Sequence, residues 1–416
     1  MSLTDSKNKG WFVTSIGLLI NLALGILYAW SVFKESILQS INSGSETGFH
    51  WDLASLNDPY AVCILAFAFS MTFAGKLQDK KGPSFTAKIG GLLVGTGFIL
   101  ASLSTNYYIW LIGFGLMGGT GIGFGYSATT PAALKWFSSA KTGLIAGIVV
   151  SGFGLAPVFI APSASFLVSG FGLQTTMMIF GIVFLVFISG LAFFLNNPPA
   201  GYVPEEAVKS NNAQNQLKEQ VEYDSFAMLK TLRFYLMWVI FFIGAGAGLM
   251  VIGSISGIAK ASMGESAFVA LAIMAVGNAL GRVVAGIVSD KMAKSSTLFL
   301  ILVSQSGLMF LCYFIMDTNP SATIIVLIAT LIGFNYGANL SLFPSFTKSF
   351  WGMKNFGMNY GILMSAWGLG GFIFSRLAQS LLASTGSNNT SFLIAGCCLG
   401  FCLYLTVVLL EIKSMN

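Results

Sequence analysis

Apolar stretches of 18 residues or more recur along nearly the whole chain. Each stretch is long enough to cross a hydrocarbon layer of about 30 Å as an α-helix. Backbone groups find no water inside that layer, so only helices and closed barrels can span it. Transmembrane β-strands would give alternating segments of roughly ten residues, and the sequence contains none. The pattern therefore predicts an all-α polytopic membrane protein.

The composition excludes a water-soluble protein. Of the 416 residues 55% are hydrophobic and 9% are charged, whereas a soluble domain carries about 25% charged residues. The first apolar run lacks a small-residue cleavage site, so we expect it to remain as a span. The five cysteines all lie within apolar runs, which argues against a disulfide framework or a metal site. We expect no cofactor and no nucleic-acid partner.

We predict twelve transmembrane helices, numbered here as spans 1 to 12. The first six cover about residues 11–33, 57–77, 85–104, 108–133, 141–166 and 171–195. The second six cover about residues 231–259, 265–289, 297–316, 320–345, 356–383 and 388–411. A polar, low-complexity segment, 196–230, lies between them. The predicted organisation is an N-terminal six-helix bundle (1–195), a cytoplasmic linker (196–230) and a C-terminal six-helix bundle (231–416).

The basic residues predict how the chain is oriented. With both termini in the cytoplasm, 17 of the 21 Lys and Arg residues fall on the cytoplasmic side. Lys34 and Lys260 fall outside, and Arg282 and Arg376 lie within spans. This bias follows the positive-inside rule, so the net charge of +6 is explained by topology. We expect a multi-pass protein of the cell membrane, monomeric in the lipid bilayer.

Three blocks of sequence repeat between the two halves. "GFGYSA" at 123–128 matches "GFNYGA" at 333–338, and "GKLQDKKG" from Gly75 matches "GIVSDKMA" from Gly286. "GIVVSGFGL" at 147–155 matches "GILMSAWGL" at 361–369. The same order at nearly one offset indicates a duplicated six-span unit. Parallel repeats of this kind occur in transporters whose substrate site lies between the halves near the midplane.

With these repeats, the chain resembles the major facilitator superfamily over essentially its whole length. The superfamily's signature is a short loop between spans 2 and 3, with a Gly, an Asp, a basic residue and a later Gly. The second copy, between spans 8 and 9, lacks that later Gly. Gly allows close helix approach, and the Asp can pair with a base or cap a helix start. The two loops contain Gly75, Asp79, Lys80 and Gly82, and then Gly286, Asp290 and Lys291.

Arg282 is a permanent charge inside the apolar run of span 8. It precedes Asp290 by eight residues, which is about 12 Å of helix. A charge at that depth is costly and marks a functional candidate. Helical spacing places Asn278, Arg282, Ala285 and Ser289 on one stripe, which we expect to face an aqueous cavity.

The partner of Arg282 is missing from the sequence. None of the fifteen acidic residues lies in the middle of a predicted span. The guanidinium fork fits a carboxylate through two hydrogen bonds, so we expect a carboxylate substrate to be the partner. The alternative is an internal brace on backbone carbonyls. Arg376, nearer the outer end of span 11, is expected to snorkel, to gate the outer mouth or to attract anions.

Several side chains at a similar depth form the predicted lining of the site. Tyrosine can donate a hydrogen bond to a carboxylate while its ring forms an apolar wall, and asparagine can add amide donors. Trp30 fits the cavity or an interfacial aromatic belt. With Arg282 and Asn278, the candidate substrate-binding residues are Tyr28, Tyr126, Tyr336, Asn335, Asn339 and Trp367.

These residues are similar to those of the oxalate/formate antiporter family and the related monocarboxylate transporters. The resemblance rests on "LYAWSVF", "GFGYS…KWF", "GRVVAGIVSD", "SLFPS" and "NYGILMSAWG". It implies that Arg282 is the anion-binding arginine and that Tyr28, Tyr126 and Tyr336 occupy aromatic cavity positions. Where the oxalate exchanger carries a second buried cation, this chain has Trp367. Where animal monocarboxylate transporters carry a proton-coupling Asp, it has Asn278.

The resemblance and the single central cation together predict a carrier of small monocarboxylates such as lactate, pyruvate or formate, with proton symport. An oxalate/formate-type exchanger and a sensor built on a transporter fold remain alternatives. A membrane enzyme would need a polar catalytic cluster, and the sequence contains none. Two repeated halves fit a carrier better than a channel. A cationic-drug exporter would need a buried carboxylate, which the sequence lacks.

Overall fold

The computed structural model describes residues 3–44, 46, 48–199, 201–204, 222–263, 267–318 and 320–414. About half of the predicted linker, including 205–221, lies outside the described residues. Within the described part of the chain, the regular secondary structure is helical throughout.

Long helices account for all twelve predicted spans. Span 1 combines Leu3–Leu24, a 3₁₀ segment Gly25–Ala29 and Trp30–Ser43. Span 4 combines Tyr107–Trp110, a π-helical segment Leu111–Gly118 and Gly119–Leu134. Spans 2 and 3 are Asp58–Lys81 and Pro83–Ser102, and spans 5 and 6 share the helix Thr142–Ala192. Spans 7 to 12 are Leu232–Met263, Ala267–Lys291, Lys294–Ile315, Ala322–Trp351, Phe356–Thr385 and Asn389–Ser414.

Gly172 divides the helix Thr142–Ala192 into two spans. Its φ of 78° and ψ of 165° break the helical path, and glycine adopts that conformation without the steric cost of a Cβ. The described residues contain 11 helices long and apolar enough to cross a membrane, and this double-length helix is one of them. The prediction of twelve spans is therefore confirmed.

The break in span 1 is a consequence of close packing against span 5. A Cβ on Gly25 would overlap Ala156, so only glycine permits this approach. The 3₁₀ segment Gly25–Ala29 starts there and contains Tyr28. Because Trp30 begins the next α-helix, the aromatic residues of "LYAWSVF" lie where the 3₁₀ segment meets that helix.

The two halves contact each other along two pairs of helices. Span 2 packs against span 11, and span 5 packs against span 8. The closest approaches are Gly75 to Gly357 and Gly143 to Gly286, where an added Cβ would overlap the backbone of the opposite helix. All four glycines lie at the end of the molecule that carries the Asp79 and Asp290 loops, which we call the signature end. The halves are therefore closed together at the signature end.

Candidate anion-binding site

A cavity of ≈ 230 Å³ lies between the two halves on the side away from the signature end. Lys34 and Arg376 line its opening, and Tyr28 and Asn278 line its deep end. Spans 1 and 2 contribute one wall, and spans 7, 8 and 11 contribute the other. Trp30 also lines it and is 4% exposed, so it belongs to the cavity rather than to a lipid-facing belt.

Arg282 lies directly beneath this cavity and is fully buried. Its Nε donates to Asn278 Oδ1 at 2.9 Å, and its Nη1 donates to the Val150 carbonyl of span 5. Nη2 has no hydrogen-bond partner, and no carboxylate pairs with the guanidinium, among the residues that the structure describes. Burying an unsatisfied charged donor is costly, so Nη2 is a candidate contact for a ligand.

The stripe around Arg282 differs from the sequence expectation. Asn278 reaches the cavity, but Arg282, Ala285 and Ser289 are all at most 4% exposed. The expectation that the whole stripe faces water is therefore wrong for this conformation. The reason is the close fit of span 5, where a Cβ on Gly147 would overlap the Arg282 backbone carbonyl.

Three predicted tyrosines gather around the guanidinium. Tyr28, Tyr126 and Tyr336 all interact electrostatically with Arg282. The Tyr28 hydroxyl is close to both Arg282 and Tyr336, but it completes no hydrogen bond within the described residues. Since these side chains come from spans 1, 4 and 10, both halves contribute to the environment of one charge.

Trp367 joins the same group through its indole. Trp367 Nε1 donates to the Tyr336 hydroxyl at 2.9 Å, and its ring centroid is 5.0 Å from that of Phe67 in span 2. The indole is 2% exposed. Trp367 therefore fixes the orientation of Tyr336 and fills the volume beside it with an uncharged wall.

The two predicted asparagines of span 10 lie in different surroundings. Asn339 is fully buried, and neither amide atom has a hydrogen-bond partner among the described residues. Its amide is next to Gly244 of span 7. Asn335 instead donates to the Ser304 hydroxyl of span 9 at 2.9 Å. The structure therefore does not bring Asn335 to the tyrosine cluster.

Arg376 forms an ion pair across the two halves at the cavity opening. Its Nη2 is 3.6 Å from Asp58 Oδ1 of span 2, with side chains 52% and 31% exposed. Tyr107 also donates to Asp58 Oδ2 at 2.7 Å. Exposed ion pairs contribute little stability, so this pair can open and close readily.

The signature loops form two equivalent clamps between the halves. Asp79 Oδ1 and Oδ2 accept from the backbone N–H groups of Gly357 and Met358 at 3.1 and 3.0 Å. Asp290 accepts from Gly143 and Leu144 at 2.7 and 2.8 Å. Each carboxylate therefore caps the start of a helix in the opposite half, where the helix dipole favours negative charge.

A lysine lies beside each clamp in an equivalent position. Lys135, just after span 4, interacts with Asp79, and Lys348, near the end of span 10, interacts with Asp290. Burial lowers the pKa of the Lys135 amine, and the Asp79 carboxylate opposes that shift. The three parts of each clamp thus repeat from one half to the other.

The sequence prediction missed Tyr360, which contacts the same cluster. Tyr360 is 1% exposed and interacts with both Tyr126 and Arg282. The available signal was its spacing, because Tyr360 precedes Trp367 by seven residues and two helical turns return to the same face. A second omission is Asp58, whose partners come from distant spans and leave no sequence pattern.

Comparisons with known proteins agree with this architecture. The Major Facilitator Superfamily matches residues 11–375. The uncharacterized MFS-type transporter YhjX of Escherichia coli strain K12 is 28% identical and covers 89% of this chain and 88% of its own. The oxalate:formate antiporter of Oxalobacter formigenes is 23% identical, with coverages of 93% and 88%. Monocarboxylate transporters are also among the relatives.

A solved structure supports the fold. The major facilitator transporter FucP in its outward conformation aligns with a TM-score of 0.65 at 14% identity, covering 95% of this chain and 99% of its own. The predicted fold of two six-helix bundles is confirmed, and the family and its relatives are transporters rather than enzymes. The chain belongs to the major facilitator superfamily.

Proposed function

We propose that the protein carries small monocarboxylates of the lactate, pyruvate or formate type across the cell membrane by alternating access, together with protons. The observation that carries this proposal is the fully buried Arg282, whose Nη2 lacks a partner among the described residues. A carboxylate entering the cavity can accept from that nitrogen and balance the charge. The distribution of basic residues makes the signature end cytoplasmic, so the cavity opens outward.

The chemistry around Arg282 favours a small monoanion over a dianion. Among the residues that the structure describes, Arg282 is the one cation within the tyrosine and tryptophan cluster, and the uncharged Trp367 indole donates to the Tyr336 hydroxyl at 2.9 Å. A second carboxylate group would be desolvated there without a matching charge, which is costly. A methyl or hydroxymethyl group is instead compatible with aromatic walls.

Lys34 and Arg376 support the same assignment at the cavity opening. Two cations there raise the local concentration of anions and speed their entry. The Arg376–Asp58 pair connects the halves on the outer side, and the two aspartate clamps connect them on the cytoplasmic side. Both sets are formed in this conformation, and rocking of one half against the other would open one set while keeping the other.

Proton coupling needs a carrier other than Asn278, because an amide does not titrate in the physiological range. The substrate carboxyl group or a tyrosine–water chain around Arg282 can serve instead. An anion exchanger is the second candidate, and the 23% identical oxalate:formate antiporter of Oxalobacter formigenes favours it. A transporter-like sensor would bind the ligand without moving it.

The test is uptake of labelled lactate, pyruvate and formate into proteoliposomes that contain the purified protein. Acidifying the outside without internal substrate should accelerate uptake, and a protonophore should abolish the gain. Uptake that ignores the pH gradient but requires internal carboxylate would replace symport by exchange. Saturable binding without uptake would favour the sensor, and absence of both would reject the proposal.

A further inference from the structure

Four tyrosines around Arg282 form two pairs that each bridge the halves. Tyr28 of span 1 is next to Tyr336 of span 10, and Tyr126 of span 4 is next to Tyr360 of span 11. All four interact electrostatically with Arg282. We call Tyr28 and Tyr336 the outer pair and Tyr126 and Tyr360 the inner pair.

Tyr28 and Tyr360, one from each pair, lie at different depths along the transport direction. Tyr28 lines the outer cavity, whereas Tyr360 does not. Tyr360 begins the second turn of span 11, and its ring centroid is 5.7 Å from that of Phe356. The residue after Phe356, Gly357, donates to the Asp79 clamp. Tyr360 therefore lies between Arg282 and the closed signature end.

Each pair contains a buried hydroxyl group that faces another hydroxyl but completes no hydrogen bond among the described residues. These are the hydroxyls of Tyr28, which faces Tyr336, and of Tyr360, which faces Tyr126. A buried phenol without a partner carries a desolvation cost, and an anion held by Arg282 is within the reach of such donors. One free donor is thus available on the outer side of the charge and another on the cytoplasmic side.

We propose that Tyr360 is the cytoplasmic-side contact of the substrate carboxylate, which is transferred from the Tyr28 hydroxyl to the Tyr360 hydroxyl while Arg282 keeps hold of it. Tyr28 and Tyr360 come from opposite halves, so rocking of the halves changes which of the two hydroxyls faces the open side. The tyrosine hydroxyl on the open side then determines how tightly the carboxylate binds from that side. This assignment rests on the proposed transport of monocarboxylates.

The experiment compares Tyr360→Phe with Tyr28→Phe, since each change removes one hydroxyl and keeps the ring. Each variant carries an added cysteine near the cytoplasmic end and is reconstituted into liposomes. A membrane-impermeant thiol reagent added from outside blocks the molecules whose cytoplasmic end faces outward, so that only one orientation transports. Half-saturation concentrations for the carboxylate are then measured separately from the outer and the cytoplasmic sides.

Tyr360→Phe should raise the cytoplasmic half-saturation concentration about tenfold, the loss expected for one hydrogen bond to a charged group. It should leave the outer value within twofold, and Tyr28→Phe should show the opposite asymmetry. Equal effects from both sides, or no effect of Tyr360→Phe, would overturn the assignment. If Tyr360→Phe does not fold, Tyr360→Met also removes the hydroxyl while an adaptable apolar side chain fills the buried site, and it must show the same cytoplasmic asymmetry.

Failure of the proposed function gives a different result. In that case the wild-type protein itself would show no saturable carboxylate binding or flux from either side. A protein that transports carboxylates but lacks the asymmetry would contradict the role of Tyr360 alone.

Discussion

Replacing Asp290 by Asn should shift the protein away from the conformation that is closed at the signature end. The Asp290 carboxylate accepts from Gly143 and Leu144 of the opposite half at 2.7 and 2.8 Å. Asparagine keeps one acceptor oxygen and presents an NH₂ group to the second N–H. One charge-assisted hydrogen bond is lost, and the favourable interaction with the helix start is lost with it.

The size of the shift follows from these contacts. A hydrogen bond to a charged group contributes about 1.5–3 kcal/mol, and the helix-dipole interaction adds about 0.3–1 kcal/mol. The closed conformation should therefore lose about 2–4 kcal/mol, which changes the ratio of the two conformations by roughly 30- to 1000-fold. Asp79→Asn should have a smaller effect, because its hydrogen bonds are longer, at 3.1 and 3.0 Å.

Spin labels can report the ratio directly. Ala140 precedes span 5 and Met292 follows span 8, and both are exposed at the signature end. Cysteines at these two positions, in a protein whose native cysteines are replaced, should give a short distance in the wild type. Asp290→Asn should add a population at longer distance. An unchanged distance distribution, with the same melting temperature, would refute the claim that this clamp stabilises the closed end.

Three other substitutions test the site and the helix contacts. Trp367→Lys places a second cation near Arg282, and a charge about 5 Å from a carboxylate contributes roughly 3 kcal/mol at an effective dielectric constant of about 20. Oxalate should then bind more tightly than lactate in a thermal-shift titration, and an unchanged ranking would contradict the charge argument. Asn278→Asp supplies an internal carboxylate that competes with the substrate for Arg282. Lactate uptake should therefore fall at neutral pH and recover when acid protonates the new carboxylate. Uptake independent of pH would contradict this competition. Gly143→Val should separate the halves at the signature end, because its Cβ would overlap span 8. Gly190→Val should be neutral, because its Cβ would meet no atom within 4 Å. Equal spin-label distances in both variants would contradict the close-packing argument.

The spans and the equivalence of the two halves were predictable from sequence because both depend on local patterns. Apolar length defines each helix, and a shared offset relates Asp79 to Asp290. The prediction that Arg282 is a deep cation without a nearby carboxylate also needed only the positions of charges along the helices. The single helix through spans 5 and 6 could not be read in the same way, since the break depends on the positive φ of Gly172.

The contacts across the halves could not be predicted. Burial of Arg282 against span 5 depends on how closely Gly147 packs, and the partners of Asp58 come from spans 4 and 11. Asn335 shares a helix face with residues near the site, yet its amide bonds to Ser304. Helical spacing identifies a face but does not identify the helix that packs on it.

The central claim is that Arg282 binds the substrate carboxylate, and calorimetric titration of purified protein with lactate, pyruvate and formate tests it most directly. Wild-type protein should bind at least one of them. Arg282→Gln should weaken that binding by one to two orders of magnitude, because at least one hydrogen bond to a charged group, about 1.5–3 kcal/mol, is lost. Arg282→Lys, which keeps the charge but not the planar fork, should fall between the two. Equal affinity of wild-type protein and a folded Arg282→Gln variant would contradict the account.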